Sequence, residues 1–274
     1  MSPGPLVTLQ LATSLLSARA AGIASIECSV DLARSMTAVD VFKEHWVWNG
    51  QCFPYISRCK DRTIYYWTGA GFEPAARFST ALVKLVPTDW GPPTFEIDGI
   101  KMLPTARVSP YADAQRKVEL IQPRGKAILD TCGGLGYFAA WCLAGGARQI
   151  ASFEKNADVI WLRGLNPWSP DAADSALALT CGDIVEHSAA LPAQSFDAIL
   201  HDPPRFGIAG ELYSQAFYDR LAQLLKRRGV LFHYTGTPNK LTSNRDVPQE
   251  VAGRLRRAGF TTRFEGDGVL AGKR

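Results

Sequence analysis

The chain has 274 residues, 46% of them hydrophobic, which allows one large domain or two smaller ones around a sizeable core. Its 30 basic and 26 acidic residues leave a net charge of +4, divided 12 against 11 up to residue 120 and 18 against 15 beyond it, so neither half is a basic arm for gripping nucleic acid. The six cysteines (Cys28, Cys52, Cys59, Cys132, Cys142 and Cys181) show no C-x-x-C spacing, which argues against a zinc site; no metal is expected, and reduced thiols in a cytoplasmic protein fit the pattern.

In chain order, the first element is the run PLVTLQLATSLLSARAAGIASI. It is interrupted by Gln10 and Arg19 and has no basic segment before it, so a helix is expected and neither a signal peptide nor a membrane span. From Ile26 to about Pro104 the sequence changes pace every eight to twelve residues. SIECSVDLA, TAVDVFKEHWVWN, RTIYYWTG, ALVKLVPT and TFEIDGIKML are β-branched and aromatic, and Asn49-Gly50, Gly69, Gly71 and Gly91-Pro92-Pro93 punctuate them. This rhythm predicts a small all-β module of short strands with a leading helix over residues 1–104. The segment SPYADAQRKVELI (109–121) reads as a helix opening a second domain, 105–274.

Past residue 125 strands and helices alternate. KAILDT, QIASFE, LALTCGD, FDAILHD and VLFHYTG read as strands, with GYFAAWCLAGG and NADVIWLRGLN as helices between the first of them. GELYSQAFYDRLAQLLKRRG has apolar residues at helical spacing. Its Lys226, Arg227, Arg228 and Gly229 stand where the helix dipole and a C-cap favour them, so the helix is expected to run to that point. DVPQEVAGRLRRAG predicts a last helix with Asp246 as N-cap, and FTTRFE and GVLAG two closing strands. The expected fold class is α/β, a mostly parallel Rossmann-like sheet with helices on both faces, plus the small all-β module.

Ligands in such sheets bind at the carboxyl ends of strands, and four polar motifs fall there. LDTCGGLG (129–136) offers Gly133, Gly134 and Gly136 for a tight turn and close backbone approach. Glu154 ends the second strand, where a carboxylate can accept from both ribose hydroxyls. Asp183, in CGD, ends the third, where it can accept from an adenine amino group. Helix N-capping is the alternative for both acids. The fourth motif is FDAILHDPPRF, an apolar run stopped by two prolines directly after His201 and Asp202. G-x-G-x-x-G is absent, and Asp130 sits where a cation would be welcome. An adenosyl ligand with an ammonium and no phosphate fits better than a pyrophosphate, and S-adenosylmethionine is the candidate.

With these motifs, residues 126–274 resemble class I S-adenosylmethionine-dependent methyltransferases. LDTCGGLGY, NPWS, HDPPRF-x-x-AGELYS-x-x-FY, LFHYTG and DVP resemble, more narrowly, a group of predicted methyltransferases best known from archaea. IECSVDLA matches a segment of that group's N-terminal β module, so the resemblance covers nearly the whole chain. It implies that Asp130, Thr131, Gly133, Gly134, Leu135 and Gly136 turn around the methionine part of the cofactor. It places Glu154 at the ribose, Gly182, Asp183 and Ile184 beside the adenine, and Asp202, Pro203 and Pro204 beside the transferred methyl. Gly134 stands where relatives often have threonine and Gly207 where they often have serine.

The resemblance also implies that the acid and the carbonyl of Pro203 accept N–H bonds from a planar amine, with the prolines holding that carbonyl still. Arg205 replaces the usual stacking aromatic, a role left to Phe206 or Tyr213, and suits a carboxylate or else pairs with Glu211. His201 is a candidate general base near neutral pH, or a strand-embedded histidine satisfied by hydrogen bonds. Tyr111, Trp161 and Trp168 are candidates for aromatic walls at a sulfonium, with core packing as the alternative.

The expected function is methyl transfer to nitrogen or oxygen of a small carboxylate-bearing molecule, with no membrane partner. One alternative uses the cofactor as substrate, by cyclisation to azetidine-2-carboxylate or aminopropyl transfer, with release of methylthioadenosine. The other is RNA base methylation.

Overall fold

The computed structural model describes residues 4–236 and 246–274. The chain divides into two compact units, Met1–Ala112 with Trp161–Trp168, and Asp113–Ile160 with Ser169–Arg274. The division falls inside two helices, Pro110–Ile121 and Ala157–Leu165, so a short piece of the later sequence belongs to the first unit.

In the first unit the helix Leu9–Ala20 starts at Thr8, whose hydroxyl accepts from the Leu11 N–H at 3.3 Å. It buries Leu11, Ala12, Leu15 and Ala18, a single stripe at helical spacing. That stripe meets Val39, Val41, Trp46 and Phe53 from a four-stranded antiparallel meander, Ser25–Cys28, Thr37–Val41, His45–Trp48 and Gln51–Pro54. The last hairpin turns at Asn49 and Gly50, both at positive φ (48° and 74°), which aligns Trp48 with Gln51. Two further small antiparallel sheets, of three and four strands, complete the β module.

The second unit is built on a seven-stranded sheet. Its strands are β1 (Ala127–Asp130), β2 (Gln149–Glu154), β3 (Leu177–Cys181), β4 (Phe196–His201), β5 (Leu225–Tyr234), β6 (Phe260–Glu265) and β7 (Gly268–Lys273). Their order across the sheet is β3-β2-β1-β4-β5-β7-β6. The first five are parallel, and β7 inserts antiparallel between β5 and β6. All four residues of β1 are buried, as a central parallel strand covered on both faces requires. The order reverses between β1 and β4, so the carboxyl ends of those two strands flank the switch point of the sheet, where open α/β sheets take ligands.

One boundary differs from the sequence expectation. The helix over Gln215–Leu224 does not continue through Lys226–Gly229; β5 begins at Leu225, in extended conformation (φ −78°, ψ 136°). The basic residues serve the sheet and not the helix dipole. Lys226 Nζ donates to Asp197 Oδ1 at 2.7 Å, while Phe196 pairs with Leu225 and Ala198 with Val230, so a bulge in β5 absorbs the intervening residues. Gly229 is required there, because a Cβ would lie 2.6 Å from Leu225 Cγ and 2.9 Å from the Lys226 carbonyl oxygen. The final helix, Val247–Arg257, starts as expected at Asp246, whose carboxylate accepts from the Gln249 N–H at 3.2 Å.

Candidate functional site

The strand-end motifs assemble in the second unit. The chain leaves β1 through Gly134 and Gly136, both at positive φ (49° and 81°), a conformation that disfavours side chains with a Cβ. Gly133 N–H donates to the Phe153 carbonyl at 2.7 Å and Gly134 N–H to Glu154 Oε2 at 2.9 Å, so the glycine turn is closed onto the end of β2. Glu154 Oε1 accepts from the Asn156 N–H at 2.9 Å. The helix that follows is capped by Asn156, whose Oδ1 accepts from Asp158 N–H at 2.9 Å, and Glu154 is therefore not its N-cap.

Asp183 does take the alternative role. Its Oδ1 accepts from the Val185 N–H at 2.8 Å and caps the helix Ile184–Ser188, while Oδ2 lies 3.6 Å from Lys155 Nζ. Leu135 and Ile184 are buried (1% and 3% exposed), so their side chains belong to the packing, and only the backbone at those positions could face a ligand. Gly182 N–H donates to the Glu154 carbonyl at 3.0 Å. Asp130 is 1% exposed and accepts the Ser152 hydroxyl at 2.8 Å; Thr131 is equally enclosed.

At the end of β4 the two polar residues part company. His201 turns inward and is fully buried. Its Nδ1 faces Thr131 Oγ1 at 2.7 Å and its Nε2 the Leu212 carbonyl at 3.1 Å. Burial pushes its pKa down to about 4, against the pull of the Leu212 carbonyl. A sealed imidazole with both nitrogens engaged has no route to a substrate proton, so the general-base reading gives way to the strand-embedded one.

Asp202 is partly exposed, and its Oδ2 lies 3.4 Å from Lys117 Nζ. Lys117 was not singled out in the sequence. Its side chain is 2% exposed, donates to Asp113 Oδ2 at 2.7 Å and rests its ammonium 3.9 Å from the centre of the Tyr234 ring. Burial pulls its pKa down, but the Asp202 and Asp113 carboxylates outweigh that and hold it cationic. Burial pushes the Asp202 carboxyl up, and Lys117 opposes that shift. Asp113 and Lys117 are four apart on one helix, which in sequence reads as a solvated pair. The available signal is that they share a helical stripe with the buried Ala114, Val118 and Ile121.

Pro203 is buried, and the Pro204 carbonyl accepts the Tyr213 hydroxyl at 3.0 Å. Tyr213, 3% exposed, is thus a strut under the prolines and not a stacking platform; Phe206 packs on it at 5.4 Å. Arg205 is exposed and has no ion pair among the described residues. Glu211, the alternative partner, lies 3.7 Å from Lys155 instead.

Tyr111, Trp161 and Trp168 fall in the first unit. Tyr111 packs on Trp168 at 5.2 Å, and Trp168 donates its indole N–H to the Leu32 carbonyl at 2.9 Å. Trp161 meets Tyr66 edge-on at 5.5 Å and carries the Arg77 guanidinium 3.8 Å from its ring centre. All three have structural partners of their own, as the packing alternative requires. Among the described residues no group of three or more His, Cys, Asp or Glu side chains could hold a metal ion, and no helix is long and apolar enough to cross a membrane.

The architecture is similar to that of a spermidine synthase solved with the transition-state analogue AdoDATO (TM-score 0.61, 18% identity, 73% of each chain covered). It is similar also to spermidine synthase from Thermotoga maritima (TM-score 0.58, 19% identity, 73% of this chain and 72% of that one). The second unit's sheet order and this likeness show a Rossmann-like α/β fold shared with these spermidine synthases. No protein-family model matches the chain. It is 39% identical over 198 residues to the uncharacterized protein MJ1233 of Methanocaldococcus jannaschii, covering 72% of this chain and 68% of that protein, and it belongs to the same family.

Proposed function

We propose that the protein is an S-adenosylmethionine-dependent methyltransferase acting on nitrogen or oxygen of a small carboxylate-bearing molecule. The observation that carries this reading is the closure of the glycine turn onto Glu154, one strand away from the Asp202-Pro203-Pro204 end of β4. The acceptor set suits an adenosyl ligand without phosphates, since the carboxylates Asp130 and Glu154 end the adjacent strands β1 and β2. The cofactor supplies a sulfonium-bound methyl and a good leaving group. The chain's own task is alignment. Asp202 accepts an N–H or O–H of the acceptor, Pro203 and Pro204 hold the backbone rigid with Tyr213 beneath them, and the exposed guanidinium of Arg205 takes the acceptor's carboxylate.

Glu154→Ala is expected to weaken binding of S-adenosylhomocysteine about tenfold or more, through loss of charge-assisted hydrogen bonds worth about 1.5–3 kcal/mol each. Calorimetry on a variant with unaltered circular dichroism checks this. Full retention of affinity would remove the ribose assignment.

A second reading is favoured by the likeness to spermidine synthase. Here the bond from sulfur to the side chain breaks instead of the bond to methyl: an external amine takes the aminopropyl chain of decarboxylated S-adenosylmethionine, or the amine of S-adenosylmethionine itself attacks its own γ-carbon to close azetidine-2-carboxylate. Both release methylthioadenosine. Incubation with S-adenosylmethionine, alone and with small carboxylate-bearing acceptors, and with its decarboxylated form plus small amines, separates the readings by product. S-adenosylhomocysteine supports methyl transfer. Methylthioadenosine above the uncatalysed rate replaces it with the second reading.

A further inference from the structure

We propose that Lys117 is the positioning residue of the strand-end acid, its sealed ammonium holding the Asp202 carboxylate in one orientation at the carboxyl end of β4. The inference rests on the reading of Asp202 as the group that orients the acceptor. Its basis is geometric. A buried ammonium is costly unless it is paired, and Asp113, on the same helix at 2.7 Å, already supplies one partner. Lys117 nevertheless also reaches Asp202, 85 residues further along the chain, at 3.4 Å.

The surroundings explain why it has charge to share. Asp113 is itself divided, with Oδ2 on Lys117 and Oδ1 accepting from Arg116 Nη2 at 3.0 Å. Arg116 goes on to Asp267 Oδ1 at 2.6 Å, in the turn between β6 and β7. Asp202, Lys117, Asp113, Arg116 and Asp267 thus form one chain of alternating charge that ties the end of β4 to the helix before β1 and to the β6–β7 turn. The Tyr234 ring face at 3.9 Å and Phe138 at 5.9 Å wall the ammonium in, so it cannot swing out to solvent. The remaining titratable groups facing Asp202 are Tyr213, Tyr234 and Cys132, all pushed by burial toward their neutral forms. Lys117 is therefore the only cation in contact with Asp202 among the described residues.

The test reads Asp202 directly. Aspartate carboxyls are labelled with carbon-13 in the full chain, the Asp202 resonance is assigned by its loss in D202N, and its titration midpoint is compared between wild type and variants. In K117M the midpoint is expected to rise by about 1–3 pH units, the effect of losing an opposite charge at this range, and K117R is expected to restore most of it. The acid limb of the pH–rate profile should move with it. An unchanged midpoint in folded K117M overturns the proposal. Should K117M fail to fold, D113N decides. It leaves Lys117 to Asp202 alone, and the midpoint should fall; no movement overturns the proposal. A wild type that transfers nothing from S-adenosylmethionine would end the functional reading, while the titration would still decide whether Lys117 holds Asp202.

Discussion

Asp202→Asn is expected to lower turnover by about 10²–10⁴-fold, the range for a positioned acid–base or orienting group, with affinity for S-adenosylhomocysteine changed far less. The asparagine keeps the shape and part of the accepting capacity but loses the charge. The fold should tolerate it, because Lys117 retains Asp113 at 2.7 Å and the proline turn is held by Tyr213 independently of the acid. Cofactor affinity is insulated because Glu154 and the glycine turn lie on β1 and β2. Steady-state kinetics beside calorimetry make the comparison. Equal losses in turnover and cofactor affinity would mean that Asp202 is part of the cofactor's seat and orients no acceptor. Arg205→Ala is the companion measurement. It should raise KM for a carboxylate-bearing acceptor with little effect on kcat, and Arg205→Lys should rescue poorly because the bidentate fork is gone. Intact kinetics in Arg205→Ala would remove the carboxylate from the acceptor's description.

What could be read from the sequence follows the range of the forces involved. The Asn49-Gly50 hairpin, the Asp246 cap and the strand–helix alternation are local, and each is encoded within a few residues of where it acts. The glycine turn and Glu154 were also legible, since strand ends in an α/β sheet bring 24 residues of separation back into register. The failures are long-range. Lys226, Arg227 and Arg228 look like a helix terminus until Asp197, 29 residues earlier, takes Lys226 into the sheet. Lys117 looks like half of a surface pair until Asp202 arrives from 85 residues away. His201 could not be oriented by alternation, because β4 is covered on both faces and side-chain parity then carries no inside–outside information. The residues that close over it, Leu212 and Phe217, come from the turn and helix that follow the prolines.

That closure makes the protein's stability pH-dependent in a definite direction. His201 and His233 sit side by side on β4 and β5, both fully buried, with ring centres 4.4 Å apart. Each is satisfied as a neutral ring. His201 donates from Nε2 to the Leu212 carbonyl and accepts the Thr131 hydroxyl at Nδ1; His233 donates from Nδ1 to the Tyr234 carbonyl at 2.7 Å and accepts the Tyr218 hydroxyl at Nε2, 2.9 Å away. A proton on either ring would be a buried charge beside a second imidazole. Burial accordingly pushes His201 down to about 4 and His233 well below the usual histidine range, with His201 adding to the shift of His233. The unfolded chain, with ordinary histidines near 6.5, binds these protons more readily than the folded one. Stability is therefore full above about pH 6.5 and is lost as pH falls toward 4. For His201 alone the span amounts to on the order of 3 kcal/mol, at about 1.4 kcal/mol per pH unit. Urea unfolding at pH 7.5, 6, 5 and 4.5 should show the midpoint falling steeply below pH 6.5. In His201→Leu the slope across this window should shrink by about one proton, whatever the variant's absolute stability. A slope identical to wild type would mean that the two rings accept their protons inside the folded protein, and that the pair is not what makes it acid-labile.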